Sequence, residues 1–157
     1  MKEVCMTQIK IVLTSGNVII EPLSNVAPKH VARIIELVKS GFYDGLTFHR
    51  VIDGFMAQTG CPLGDGTGGS GIKIPAEFSS EHFMRGSVGM ARAFDINSAD
   101  SQFFICFQDC KFLDGKYTIW GRVVSGMEFV DKIKRGDELK NGYVENPDKI
   151  IKMEVVQ

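Results

Sequence analysis

The chain has 157 residues, of which 44% are hydrophobic and 24% are charged. This is the length and composition of one globular domain with a core of its own, so we predict a single domain over residues 1–157. The 18 lysines and arginines against 19 aspartates and glutamates leave a net charge of −1, which argues against nucleic acid or a membrane surface as a partner, because both are bound through a basic excess.

The first eight residues contain no apolar run long enough for a signal peptide, and no stretch of the chain approaches the ~18 apolar residues that span a bilayer. We therefore expect a cytoplasmic protein, and a monomer. In that compartment the four cysteines are expected to be free thiols. Cys106 lies in a predicted strand and should be buried, whereas Cys5, Cys61 and Cys110 lie in end or loop regions and should be more accessible.

Hydrophobic patterning predicts eight strands and two helices. In chain order they are strands over 9–13 and 18–23, a helix over 28–40, strands over 47–52, 55–59, 87–92, 101–107 and 118–124, a helix over 127–134 and a strand over 150–156. The strands and helices do not alternate regularly, which excludes a parallel sheet. Eight antiparallel strands of this length commonly close, since closure removes exposed edges. We predict a mainly β protein, a closed eight-stranded antiparallel barrel capped by two α-helices.

Residues 64–69 contain the spacing G-x-G-x-x-G, which in dinucleotide-binding proteins joins a strand to a helix. Here Pro62 precedes the segment and residues 71–75 end in a proline, so no helix can start after it. The sequence therefore predicts a turned loop rather than a nucleotide site. The histidines and cysteines also lack zinc-site spacing, and we expect neither a metal nor a cofactor.

His49 leaves one catalytic alternative open. The members of a Ser–His–Asp triad are distant in sequence, so spacing alone does not exclude a triad that uses this histidine. A hydrogen-bonded core histidine is the simpler interpretation of a histidine within an apolar strand.

Two segments combine amide and aromatic side chains in an informative way. Residues 48–58 read Phe-His-Arg-Val-Ile-Asp-Gly-Phe-Met-Ala-Gln, and residues 101–105 read Ser-Gln-Phe-Phe-Ile. An arginine and amides among aromatic anchors are what a peptide-binding cleft contains. The same residues also fit a plain barrel wall with Arg50 and Gln58 facing water, and the pattern does not separate these two interpretations.

Taken together, these segments resemble the cyclophilins, the cyclosporin-binding peptidyl-prolyl cis–trans isomerases. The matching motifs are residues 48–58, Gly-Thr-Gly-Gly at 66–69, Met-Ala-Arg at 90–92, residues 101–105, Leu-Asp-Gly at 113–115 and residues 121–127. The resemblance covers about residues 9–156. It implies an enzyme that catalyses rotation about X–Pro bonds in peptides and in unfolded or folding proteins. The alternative is a proline-peptide binding module or chaperone with incidental turnover.

The resemblance also implies a role for individual residues. Arg50 takes the position of the catalytic arginine, which would stabilise the twisted amide. The implied substrate-binding residues are Phe55, Met56, Phe104 and Leu113 in the proline pocket, Gln58 and Gln102 on the substrate backbone, Ala91 and Arg92 along the peptide, and Phe112 and Tyr117 beside them. Phe112, Tyr117 and Arg92 stand where many members have Trp, His and Asn, which is closer to the bacterial members. These departures predict weakened binding of a cyclosporin-type ligand.

Overall fold

The computed structural model describes residues 7–157 and contains eight strands and two helices in the predicted order. They are β1 (Gln8–Leu13), β2 (Gly16–Pro22), α1 (Pro28–Lys39), β3 (Arg50–Ile52), β4 (Met56–Thr59), β5 (Ser87–Met90), β6 (Phe103–Cys106), β7 (Ile119–Ser125), α2 (Met127–Val130) and β8 (Lys152–Val156). Two 3-10 turns cover Lys111–Leu113 and Glu138–Lys140. Cys5 lies outside the described residues. Within them, no helix is long and apolar enough to cross a membrane.

The strands form one antiparallel sheet in the order β3-β4-β6-β5-β7-β2-β1-β8. The first and last strands of this order do not pair in a ladder, so the sheet is an open, curled half-barrel and the predicted closed barrel is wrong. The free edge of β3 instead contacts irregular backbone: Val51 N donates to Gly142 O over 2.8 Å, and Val144 N donates to His49 O over 3.0 Å. These bonds satisfy the edge without a regular strand.

Helix α1 begins at Pro28, whose missing N–H costs nothing in a first turn. Its N-terminus has no side-chain cap from Ala27; the backbone N–H groups of Lys29 and His30 donate to the Glu77 carboxylate over 3.2 and 2.9 Å. The helix buries His30, Val31, Ile34, Leu37 and Val38 against the sheet. A carboxylate nearly fifty residues away therefore caps this helix.

Helix α2 is shorter than the predicted 127–134 and ends at Val130. The carbonyl oxygens of Asp131 and Ile133 accept from the Arg135 guanidinium, over 2.6 and 2.8 Å. These carbonyls are therefore bonded to a side chain rather than to the amides of a further helical turn.

The two faces of the sheet enter different clusters, because successive strand residues point in opposite directions. Val51, Ala57 and Ile105 lie in the main core beneath α1. On the opposite face, Met56 and Phe104 lie in a second, smaller apolar cluster. The remaining buried members of that cluster are Leu23, Phe83, Cys106, Cys110, Leu113 and Ile119. This second cluster forms the floor of the site described below.

The three described cysteines are free and all are buried. Burial of Cys106 is confirmed, whereas the predicted accessibility of Cys61 and Cys110 is wrong, since each is only 1% exposed. Cys110 packs into the second cluster. Cys61 lies under the glycine-rich loop, where Gly68 N donates to its Sγ over 3.3 Å.

Candidate active site

Arg50 and Gln58 face each other across two neighbouring strands. They are direct partners in the register of β3 and β4, and Nη1 of Arg50 donates to Oε1 of Gln58 over 3.0 Å. Because Gln58 has the same strand parity as Met56, both side chains lie on the face opposite the main core. The alternation of β-strands thus places the arginine above the second cluster.

A continuous hydrogen-bonded network extends from Arg50 along one wall of the site. Nε2 of Gln58 donates to Oε1 of Gln102 over 2.9 Å, and Nε2 of Gln102 donates to the carbonyl oxygens of Gly66 and Gly68, each over 2.9 Å. The network orients both amides. The glycine-rich loop therefore differs from a phosphate-binding loop, which would present backbone N–H donors. Here two carbonyl oxygens of the loop accept hydrogen bonds from the Gln102 side chain.

A cavity of about 190 Å³ with an apolar floor and a polar rim opens beside this network. Its lining consists of Arg50, Phe55, Met56, Gln58, Ala91, Arg92, Phe104, Leu113 and Tyr117. Met56, Phe104 and Leu113 form its apolar floor. The Arg50 guanidinium and the Gln58 amide belong to its polar lining. Such a cavity suits a small apolar ring attached to a peptide group.

The floor depends on a stack of two phenylalanines. The rings of Phe104 and Phe83 stack with centroids 5.8 Å apart, and the Tyr117 ring meets Phe104 edge-on at 6.0 Å. Gly89 lies opposite Phe104 in the sheet. A Cβ at this position would lie 2.6 Å from Phe83 Cε2 and 2.8 Å from Phe104 Cζ, so only glycine leaves room for the stack.

A second cavity of about 310 Å³ adjoins the first and shares Gln58, Ala91 and Arg92 with it. The Arg92 guanidinium lies over the Tyr117 ring, 4.5 Å from its centroid, and Nη2 donates to Lys116 O over 2.8 Å. Arg92 therefore lies between the two cavities and lines both of them. Together they form one groove.

Two of the predicted substrate-binding residues do not line the first cavity, and one residue that contacts Arg50 was not predicted. Gln102 lines only the second cavity, and Phe112 is 62% exposed, with its ring 5.3 Å from that of Phe55. The missed residue is Asn141, which accepts two hydrogen bonds from Arg50. Its Asn-Gly sequence indicates a turn, but no local signal places that turn beside a strand 91 residues earlier.

His49 lines neither cavity: it is 2% exposed, its ring lies 6.1 Å from the Tyr143 ring, and its Nε2 is close to Gly66 of the glycine-rich loop. Burial lowers the pKa of His49 below its usual value of about 6.5, and the positive charge of Arg50 acts in the same direction. Neither ring nitrogen bonds a hydroxyl or thiol of the described residues, so the triad left open by the sequence is not assembled. Residues 7–157 also contain no cluster of side chains that could hold a metal ion.

A groove with an apolar floor, a guanidinium and two oriented amides is typical of a peptide-binding protein. Comparison with known proteins identifies the particular family. The family model described as "Cyclophilin type peptidyl-prolyl cis-trans isomerase/CLD" matches residues 8–155. The chain belongs to the cyclophilin-type peptidyl-prolyl cis–trans isomerases and is an enzyme of that class.

Individual relatives agree with this assignment. A probable peptidyl-prolyl cis–trans isomerase of Brucella abortus is 57% identical over 152 residues, covering 89% of this chain and 78% of the relative. Peptidyl-prolyl cis–trans isomerase B of Bacillus subtilis is 44% identical over 136 residues, covering 85% and 94%. A Cryptosporidium parvum cyclophilin, solved in the presence of the dipeptide Ala-Pro, superposes with a TM-score of 0.87 at 27% identity, covering 96% of this chain and 99% of that one.

Proposed function

We propose that this isomerase acts on X–Pro bonds of peptides and folding proteins, with Arg50 as the group that stabilises the twisted amide. The observation that carries the proposal is the Arg50 guanidinium at the apolar cavity floored by Phe104 and Met56. The Ala-Pro dipeptide used with the Cryptosporidium parvum relative supports proline as the ring that enters this cavity.

Rotation about a peptide bond meets a barrier of ~18–20 kcal/mol, because resonance gives the C–N bond partial double-bond character. Twisting breaks the resonance and localises a lone pair on the proline nitrogen. A guanidinium directed at that nitrogen donates to it strongly only in the twisted state. Arg50 therefore binds the transition state better than either planar form, which is the condition for catalysis.

The hydrogen bonds of Arg50 leave it free to perform this role. One N–H each of Nε, Nη1 and Nη2 is engaged with Asn141 or Gln58. A guanidinium has five N–H groups, so two remain for the substrate. Gln58 keeps one amide N–H for the substrate backbone, whereas both N–H groups of Gln102 are engaged with the glycine-rich loop, so Gln102 has only the second lone pair of Oε1 to offer. The proline ring stays fixed in the cavity while the other side of the bond rotates.

The proposal is tested by measuring catalysed exchange between the cis and trans forms of an X–Pro peptide by NMR, with the purified chain at substoichiometric concentration. We expect exchange to become much faster than the uncatalysed ~10–100 s process. Chemical-shift changes that report binding without accelerated exchange would assign the groove to a binding module instead.

The rate is expected to vary little between about pH 6 and 9. An arginine keeps its proton throughout this range, and no proton transfer is part of the mechanism. The titratable group nearest in sequence, His49, has a lowered pKa because of burial and is neutral over the upper part of the range. A pH–rate profile of the exchange checks this, and a steep step near the histidine pKa of ~6.5 would contradict it.

The free energy of unfolding, in contrast to the rate, is expected to fall as the pH drops below about 6.5. Burial lowers the pKa of both His30 and His49 in the folded chain, despite the Glu77 carboxylate beside His30. The unfolded state, with ordinary histidines, then binds more protons, so protonation favours unfolding. Urea midpoints at about pH 7.5 and 5.5 measure the effect, and an unchanged or higher midpoint at the lower pH would contradict it.

Phe112→Trp is expected to tighten cyclosporin binding by about three- to tenfold. The indole adds an N–H that phenylalanine lacks, and one hydrogen bond contributes roughly 0.5–1.5 kcal/mol. Phe112 is 62% exposed beside the Phe55 ring, so a larger ring can be accommodated there. Calorimetric titration of both proteins measures the difference, and equal affinities would refute this explanation.

A further inference from the structure

We propose that Asn141 is a positioning residue for Arg50, an inference that rests on the catalytic role proposed above. Two atoms of this one residue hold the guanidinium. The backbone carbonyl oxygen of Asn141 accepts from Arg50 Nε over 2.9 Å, and its side-chain Oδ1 accepts from Arg50 Nη2 over 3.2 Å. Both contacts are on the edge of the guanidinium that Gln58 does not occupy.

Three acceptors then determine the orientation of a planar group. Gln58 holds Nη1, and Asn141 holds Nε and Nη2, so the plane of the guanidinium can neither tilt nor rotate freely. Orientation matters here because the remaining N–H groups must be directed at a nitrogen whose lone pair exists only in the twisted amide.

The acceptors are also all neutral. Among the ion pairs of the described residues, none involves Arg50. A carboxylate at the position of the Asn141 amide would hold the arginine equally well, but it would offset the positive charge that the transition state requires. An asparagine orients the guanidinium and leaves that charge available.

The backbone around Asn141 suits this role. Asn141 has a left-handed φ of 58°, a conformation that asparagine and glycine tolerate better than other residues. Gly142 N donates to Asp137 O over 2.8 Å, and Gly142 O accepts from Val51 N over 2.8 Å. The turn is thus bonded to the strand residue directly after Arg50, so that the acceptors and the arginine keep a constant separation.

Asn141→Gly is the most direct test, because glycine keeps the left-handed backbone and its carbonyl while removing Oδ1. We expect kcat/KM for an X–Pro peptide to fall about three- to tenfold through kcat, with KM unchanged. Asn146→Gly is the matched control: Asn146 is also exposed and left-handed, with φ 54°, and makes none of the Arg50 contacts. Its activity should equal that of the unsubstituted chain.

A double-mutant cycle with Arg50→Lys separates positioning from general stability, because lysine has no Nη2 for Asn141 to hold. In the lysine background, Asn141→Gly should change kcat less than about twofold. An equal loss in both backgrounds, a loss shared by Asn146→Gly, or full activity of Asn141→Gly would overturn the positioning role. Full activity of Arg50→Lys alone would instead overturn the catalytic role of Arg50.

Discussion

Arg50→Ala is expected to reduce kcat/KM for an X–Pro peptide by about 10²–10³-fold, the usual cost of removing one donor that acts on developing charge. The reduction should appear in kcat, since in the proposed mechanism the guanidinium interacts with the nitrogen mainly in the transition state. Arg50→Lys should also be impaired, because an ammonium cannot match the planar geometry that Gln58 and Asn141 hold. NMR exchange measurements on the three proteins give these values.

The same substitution should leave the fold nearly intact. Arg50 is only half-buried and its partners are neutral polar groups at the surface. Arg122→Ala, which removes an exposed arginine of β7, controls for loss of positive charge and should be fully active. A folded Arg50→Ala protein with full activity would show that the arginine is not the catalyst.

Phe104→Ala is expected to have the largest effect on stability, lowering the free energy of unfolding by about 3–5 kcal/mol. The Phe104 ring is 5% exposed, stacks on Phe83 and meets the edge of Tyr117. Its loss would leave a void in the second cluster and remove part of the floor of the first cavity. Urea unfolding measures the change in stability, and KM for the peptide should rise in the variant that remains folded.

Phe112→Ala is the matched control, because this phenylalanine packs beside Phe55 but lines neither cavity. Its ring is 62% exposed, so its truncation should cost less than about 1 kcal/mol of stability. Equal destabilisation by the two substitutions would show that Phe104 does not form a packed floor.

Local patterns in the sequence determined much of this protein. The apolar stripe after Pro28 predicts α1, and the alternation within residues 55–59 places Gln58 on the same face of its strand as Met56. These features depend on chain geometry over a few residues, namely the helical repeat and the two-residue period of a strand. The glycine-rich loop was predictable from its composition, because its many glycines and the flanking prolines exclude a helix or a regular strand.

Only the tertiary structure decided how distant segments meet. The sheet stays open because the edge of β3 bonds to irregular backbone at 142–144, and no periodicity encodes that choice. Glu77 accepts from the first backbone N–H groups of α1, and Asn141 accepts from Arg50. Each acceptor is distant in the chain from the group that it binds. Cys61 is buried because a loop folds over it. Apart from the contact of Cys61 with Gly68 in its own loop, these contacts join residues that are far apart in the chain. Their energy depends on the whole packing arrangement and leaves no signal in the neighbouring sequence.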